Sequence, residues 1–145
     1  MFKLKAISLL RMVSTVPHLI FEVTPAIHRA INFPFLARTI HERLAATGHA
    51  VLDELKSRMY ATDEYLAGND PDGEFVVVRL FLSKERPQSA QRAMGQVIHD
   101  AIREAVVSAG VAGWWQCCVF VMDFSAAPYV KTVSGTDHET SPAHA

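Results

Sequence analysis

The chain has 145 residues, half of them hydrophobic and a fifth charged, with a formal net charge of -1 and a pI near 6.6. That length fits one domain with a real core. The balanced charge gives no electrostatic reason to expect nucleic acid or an anionic membrane as partner, and no apolar run is long enough to span a bilayer.

The first sixteen residues, "MFKLKAISLLRMVSTV", place Lys3 and Lys5 before the apolar run "AISLL". Arg11 ends that run too early for a secretory signal, and no small-x-small cleavage site follows, so neither export nor insertion is expected. "PHLIFEV" then alternates as a strand, with Leu19, Phe21 and Val23 on one face and His18, Ile20 and Glu22 on the other. A connection containing Pro25 and Pro34 leads to "FLARTIHERLAATG", where Leu36, Ile40 and Leu44 form a helical stripe and Gly48 is the stop. This helix begins either before Pro34 with a kink or at Pro34; the residues leave both open. "LKSRMYA" reads as the second strand.

"AGNDPDG", residues 67 to 73, is the strongest turn signal. "EFVVVRLFL" follows as a strand that is apolar on both faces. The next stretch carries Met94, Val97, Ile98, Ala101, Ile102, Ala105 and Val106 at helical spacing despite Gly95, and stops at Gly110. "QCCVFVMDF" is the last strand. Its adjacent Cys117 and Cys118, the only cysteines, point to opposite faces of a strand. A mutual disulfide is therefore not expected, which favours a reducing, cytoplasmic setting. The predicted organisation is an extension at 1–16, a domain at 17–130, and a polar tail at 131–145 without fixed structure.

"IHERLAATG" from Ile40 and "IREAVVSAG" from Ile102 align without gaps at an offset of 62, sharing Ile, Glu and Gly. Helix followed by strand at the same place in both halves predicts an internal duplication. Each helix bridges two strands, so each half reads as a βαβ unit with parallel strands. The fold class is α/β (α+β), with the order β-α-β-β-α-β and a four-stranded sheet carrying two helices on one face. Strands apolar on both faces need cover on both. The open face therefore predicts a homo-oligomer.

At "VPHLIFEV", "LAATG", "LKSRM" and "KERPQSAQR", in that order from Pro17 to about Phe124, the chain resembles the 5-carboxymethyl-2-hydroxymuconate isomerase family of the tautomerase superfamily. The resemblance implies the tautomerase plan of duplicated halves related by a pseudo-twofold axis, assembly as a trimer, and no metal or organic cofactor. It also implies a role in aromatic catabolism: an isomerase that shifts a double bond in an unsaturated keto or enol acid with several carboxylates. An amino-terminal proline is the base, and Pro17 is the candidate. A prolyl nitrogen inside a chain is an amide and no base, whereas a free terminal amine titrates near neutrality, and neighbouring cations lower its pKa.

The candidate cations are Lys56, Arg58 and Arg86. Lys56 and Arg58 are two apart on a strand and share a face. Arg86 lies in the loop entering the second helix, whose N-terminus also favours anions. The family has arginines at the positions matching Lys56 and Arg86, so Lys56 is a departure: it offers a point charge in place of a planar fork. Residues 1–16 are the larger departure, because they make Pro17 an amide. Val16 is what a GUG start codon looks like when translated internally. Initiation there followed by methionine removal would leave Pro17 first.

On the residues alone, Pro17 is an ordinary strand-entry proline, Lys56 and Arg58 are a solvated strand face, and Arg86 is part of a polar loop. Arg79 inside "VVVRLFL" either lines a pocket or pairs with a carboxylate at an interface. Trp114 and Trp115 read as core or interface. The seven histidines, among them His28, His41, His138 and His144, form no ligand cluster, so no metal is expected. Two other readings stand beside the isomerase: a tautomerase of a different enolisable acid, and a non-catalytic oligomeric binding protein with Pro17 inside the chain.

Overall fold

A computed structural model describes residues 16–135. The predicted extension, apart from Val16, and the tail beyond 135 lie outside the described residues.

Strand β1 (His18–Val23) alternates as its sequence does: Leu19, Phe21 and Val23 are fully buried, and His18, Ile20 and Glu22 are half-exposed. The connection after it holds a six-residue helix, α1 (Pro25–Ala30), which the sequence reading passed over. Six residues are too few to show a helical stripe and too few to be stable alone. The support is distant: Glu74 accepts the Ala26 N–H at 2.7 Å, satisfying one orphan donor of the first turn.

Helix α2 (Phe33–Ala46) settles the question at Pro34, since the chain breaks at Ile31 and Asn32 and restarts. Asn32 caps it by accepting from the Phe35 N–H at 3.2 Å, and Pro34 sits in the first turn, where no helical hydrogen bond is lost. Leu36, Ile40 and Leu44 are buried, each worth about 1.5–3 kcal/mol relative to exposure. Gly48, at φ 79°, takes the left-handed conformation that ends the helix.

A 3₁₀ turn (Leu52–Glu54) leads into β2 (Lys56–Ala61). In β3 (Glu74–Leu82) every second residue is buried, and β4 (Trp115–Asp123) closes the sheet. Helix α3 (Gln88–Ser108) buries Ala90, Met94, Ile98, Ala101, Ile102 and Val106. Gly95 is not a flaw in it: a Cβ there would stand 3.2 Å from Val121 Cγ2, so its absence lets α3 lie close on β4.

The sheet order is β2-β1-β3-β4, with β1–β2 and β3–β4 parallel and the central β1–β3 pair antiparallel. That order is unchanged when the halves are exchanged, as a duplicated βαβ unit requires. Ile40 and Ile102 are both fully buried, and Gly48 and Gly110 both have positive φ. The core lies between the helices and one sheet face, joining residues of α2 and α3 to alternate residues of the strands. On the other face Ile20 and Val77 are half-buried and Phe120 and Met122 exposed, with no helix packed there among the described residues. Arg79 pairs there with Glu22 of the neighbouring strand, so its carboxylate partner lies within the same chain.

Candidate active site

Because β1 and β2 run parallel while β3 runs against them, the first residues of β1 and β2 meet the last residues of β3 and β4 at one end of the sheet. A cleft of about 830 Å³ opens there. It is lined by Val16, His18, Lys56, Phe81, Leu82 and Ser83 at the strand ends, by Asp53 and Glu54 of the 3₁₀ turn, and by Phe124, Ala127 and residues 129 to 134 of the segment after β4. Phe124 stacks on Phe81 with ring centroids 5.1 Å apart, which starts that segment back across the strand ends. Residues 131 to 134, assigned from sequence to the tail, thus lie against the cleft, and they bring Lys131 to it.

Pro17 is buried at this end, between two residues that line the cleft. Its carbonyl accepts from the Lys56 N–H at 3.2 Å, which sets the β1–β2 register, and the Val16 N–H donates to Ser83 Oγ at 3.0 Å. The bond joining Val16 to Pro17 is therefore part of the cleft wall.

Lys56 lies directly opposite His18 in the ladder and lines the cleft, with Nζ donating to the Glu54 carbonyl at 2.9 Å. Arg58, two residues on, donates through Nη1 to His18 Nδ1 at 3.1 Å. Burial first, then the charges of Arg58 and Lys56, hold the His18 imidazole below its ordinary pKa. The structure thus brings His18 and Lys56 to the cleft, with Pro17 next to His18 in the chain and Arg58 joined to His18; neither Pro17 nor Arg58 is itself among the residues lining the cleft. The sequence contained a signal for His18: alternation along "PHLIFEV" puts it on the face of β1 that adjoins Lys56.

Arg86 is placed differently. It is not among the residues lining the cleft. Its Nε and Nη2 donate to the His49 carbonyl at 2.9 and 2.5 Å, and Nη1 donates to the Lys84 carbonyl at 3.1 Å. Three of its five N–H groups are thereby engaged with backbone, leaving two. Burial lowers its pKa from the ordinary value, against the raising effect of the Asp123 and Glu54 carboxylates near it.

His41 Nε2 lies 2.6 Å from Ser57 Oγ, a pairing that joins α2 to β2. Among the described residues there is no group of three metal-ligating side chains. No helix among them is long and apolar enough to cross a membrane. Both cysteines are free, and burial pushes the Cys117 thiol up to about 12.

A four-stranded mixed sheet of two βαβ halves in the order β-α-β-β-α-β is the tautomerase-like fold. The family model for 5-carboxymethyl-2-hydroxymuconate isomerase matches residues 17–112, and the chain belongs to that family. Among solved structures it is similar to a 5-carboxymethyl-2-hydroxymuconate isomerase from Deinococcus radiodurans, with 21% identity and a TM-score of 0.72 over 83% of this chain and 92% of that one. A 5-carboxymethyl-2-hydroxymuconate delta-isomerase is similar at 13% identity and a TM-score of 0.70, over 81% and 89%. A fused 4-OT, described as a symmetric trimer, is similar at 17% identity and a TM-score of 0.53, over 73% and 84%. Comparison with curated proteins finds no match.

Proposed function

We propose that the protein is an isomerase that moves a proton in an unsaturated 2-hydroxy or 2-oxo acid bearing two or three carboxylates, such as 5-carboxymethyl-2-hydroxymuconate, with Pro17 as the general base. The observation that carries this reading is the position of Pro17 between Val16 and His18, which line a cleft together with Lys56. Family membership supports it, and the family match begins at that same residue.

With Pro17 as the first residue, its nitrogen is a secondary amine facing the space that Val16 occupies at the cleft. An α-amino group titrates at about 7.7–8.0. The cation Lys56, whose backbone N–H bonds the Pro17 carbonyl, favours the neutral form, with Arg58 two residues further along β2. The amine takes a proton from a substrate carbon or hydroxyl and returns it elsewhere on the conjugated system; a base tuned in this way contributes roughly 10²–10⁴-fold. Lys56 holds one substrate carboxylate as a point charge. The two remaining N–H groups of Arg86 bind a second, with Arg58 adding to the positive field.

The chemistry requires a mature domain beginning at Pro17, and initiation at Val16 read as GUG supplies one. The uncovered sheet face and the trimeric assembly of the fused 4-OT support a homotrimer.

The test is the intact mass of the protein made from its own locus, followed by its activity on 5-carboxymethyl-2-hydroxymuconate and on smaller unsaturated diacids. A chain starting at Pro17 that isomerises the first compound supports the proposal. Turnover of only the smaller diacids would point to a tautomerase of another enolisable acid. A chain retaining residue 16, inert on all of them, would leave a binding protein on the same fold. In that chain Pro17 is an amide, and the hydrogen bond from Val16 to Ser83 is part of the scaffold.

A further inference from the structure

The residue after the proline carries a second role, and Arg58 points to it. A guanidinium has no acceptor, so Arg58 Nη1, 3.1 Å from His18 Nδ1, donates to it, and that ring nitrogen presents its lone pair. The ring proton then sits on Nε2. Burial and the charges of Arg58 and Lys56 all disfavour protonation of the imidazole and so favour its neutral form. The charged groups around it are Lys56 and Arg58 on β2, Asp53 and Glu54 on the 3₁₀ turn, and Lys131 in the segment after β4; β3 contributes Phe81 opposite. Among the described side chains that line the cleft, His18 is the only uncharged nitrogen donor, the other nitrogen donors being Lys56 and Lys131.

We propose that His18 is a catalytic residue that donates its Nε2–H to the 2-oxygen of the substrate, and that Arg58 is the positioning residue that fixes the ring for this task. This inference rests on the reading of Pro17 as base. When the proline nitrogen takes the proton of the 2-hydroxyl, the O–H electron pair stays on oxygen and the 2-oxygen becomes an enolate. Nε2–H meets the charge growing there and gives up no proton. As the oxygen pair closes the C2=O bond, the 2,3 double bond shifts to 3,4, and the 4,5 pair takes the proton from the proline ammonium at carbon 5. A neutral donor stabilises such an oxyanion without becoming an acid that traps the enol, and a prearranged donor acts most strongly where charge develops. The carboxylates are left to the cations. His18 thereby separates recognition of the oxygen from recognition of the acid groups.

The experiment uses the protein with its natural N-terminus. His18→Gln carries an amide N–H near the place of Nε2, whereas His18→Asn keeps an acceptor for Arg58 near the place of Nδ1 but has no donor at the far edge. His18→Asn is expected to lose about 10²–10³-fold in kcat on 5-carboxymethyl-2-hydroxymuconate, as for removal of one oxyanion donor, with KM changed by less than about threefold. His18→Gln should recover much of that loss. Nitrogen-15 NMR of the imidazole reads the tautomer independently of activity: the Nε2–H form is expected, and in Arg58→Ala the His18 pKa should move up.

Equal kcat in His18→Asn and wild type, or an Nδ1–H ring, would overturn the assignment. Pro17→Ala separates it from the reading on which it rests. If that variant is inactive while His18→Asn is unimpaired, only the His18 role falls. If Pro17→Ala keeps full activity, the base assignment fails and this inference falls with it.

Discussion

Arg86 closes on the main-chain carbonyl of His49 through two of its nitrogens, at 2.9 and 2.5 Å, tying the loop after α2 to the loop before α3. Those loops are 37 residues apart in sequence. A third donation to the Lys84 carbonyl fixes the guanidinium plane. The side chain is thus a scaffold element as well as a candidate ligand for substrate.

Arg86→Ala should therefore change two quantities at once. Loss of charge-assisted bonds to partly buried carbonyls is expected to lower the unfolding free energy by about 1–3 kcal/mol, read from urea denaturation. If the two remaining N–H groups hold a carboxylate, KM should also rise about tenfold, equivalent to about 1.4 kcal/mol. A stability loss with unchanged KM would confine Arg86 to the scaffold.

Lys56 is exposed at the cleft, with its ammonium bonded to one carbonyl of the adjoining turn. Lys56→Gln is expected to leave stability within about 0.5 kcal/mol while raising KM for a diacid about tenfold. Lys56→Arg supplies a planar fork and should lower KM for substrates whose carboxylate accepts two parallel bonds. Steady-state kinetics on a diacid and its monoester would show whether that carboxylate is the group sensed.

The histidines set a direction for pH dependence. His18 and His41 both have pKa values lowered from 6.5, His41 by burial and His18 by burial followed by the charges of Arg58 and Lys56. In the window below 6.5 and above the folded values, the unfolded chain binds more protons than the folded one. Stability then rises with pH across that window. Their contribution is fully present above the unfolded value and is lost as pH falls through the folded ones. Urea midpoints from pH 7.5 down to 5 should show this slope, and it should flatten in the His18→Gln, His41→Gln double variant.

Ile40 and Ile102 occupy matching places in the two halves, and both are fully buried in one core. Each Ile→Ala change should cost about 2–5 kcal/mol. The two losses should be of similar size, measured by chemical denaturation. A several-fold inequality would show that one half dominates the stability of the fold.

Phe120 is 54% exposed on the sheet face that no helix among the described residues covers, two residues from the exposed Met122. Phe120→Glu places a charge in the surface that assembly would bury, where an unpaired charge is strongly disfavoured. Light scattering should show the oligomer shifted toward monomer in this variant, with the circular dichroism of the fold unchanged. An unchanged mass would put the subunit contact elsewhere.

The sheet and the two long helices were legible because their apolar residues recur at strand and helix periods, as in "PHLIFEV" and in the stripe from Met94 to Val106. Helix α1 was not, because a six-residue helix shows no period and its N-terminal support comes from Glu74 in a distant strand. Lys56 and Arg58 could be assigned to one face because alternation is a local property. The pairing of Arg58 with His18 needs the β1–β2 register, which is tertiary. The orientation of Arg86 was hidden for a related reason: its acceptor is a backbone carbonyl, and a carbonyl leaves no mark in a sequence.

The duplicated plan gives the sheet two equivalent ends, and they have diverged. At one end the first residues of β1 and β2 carry His18 and Lys56. At the other, the first residues of β3 and β4 border a hollow lined by Leu66, Ala67, Gly68, Asp70, Phe75, Trp114 and Gln116, with no cation among them. A symmetric pair of identical halves would have to keep every residue compatible with both duties. Joined in one chain, the halves can mutate independently, so one end can keep its cations while the other carries aromatic residues in their place. The fold therefore has twofold architecture with unlike poles, and a change confined to the Trp114 end is expected to alter stability without disturbing the cleft at the His18 end.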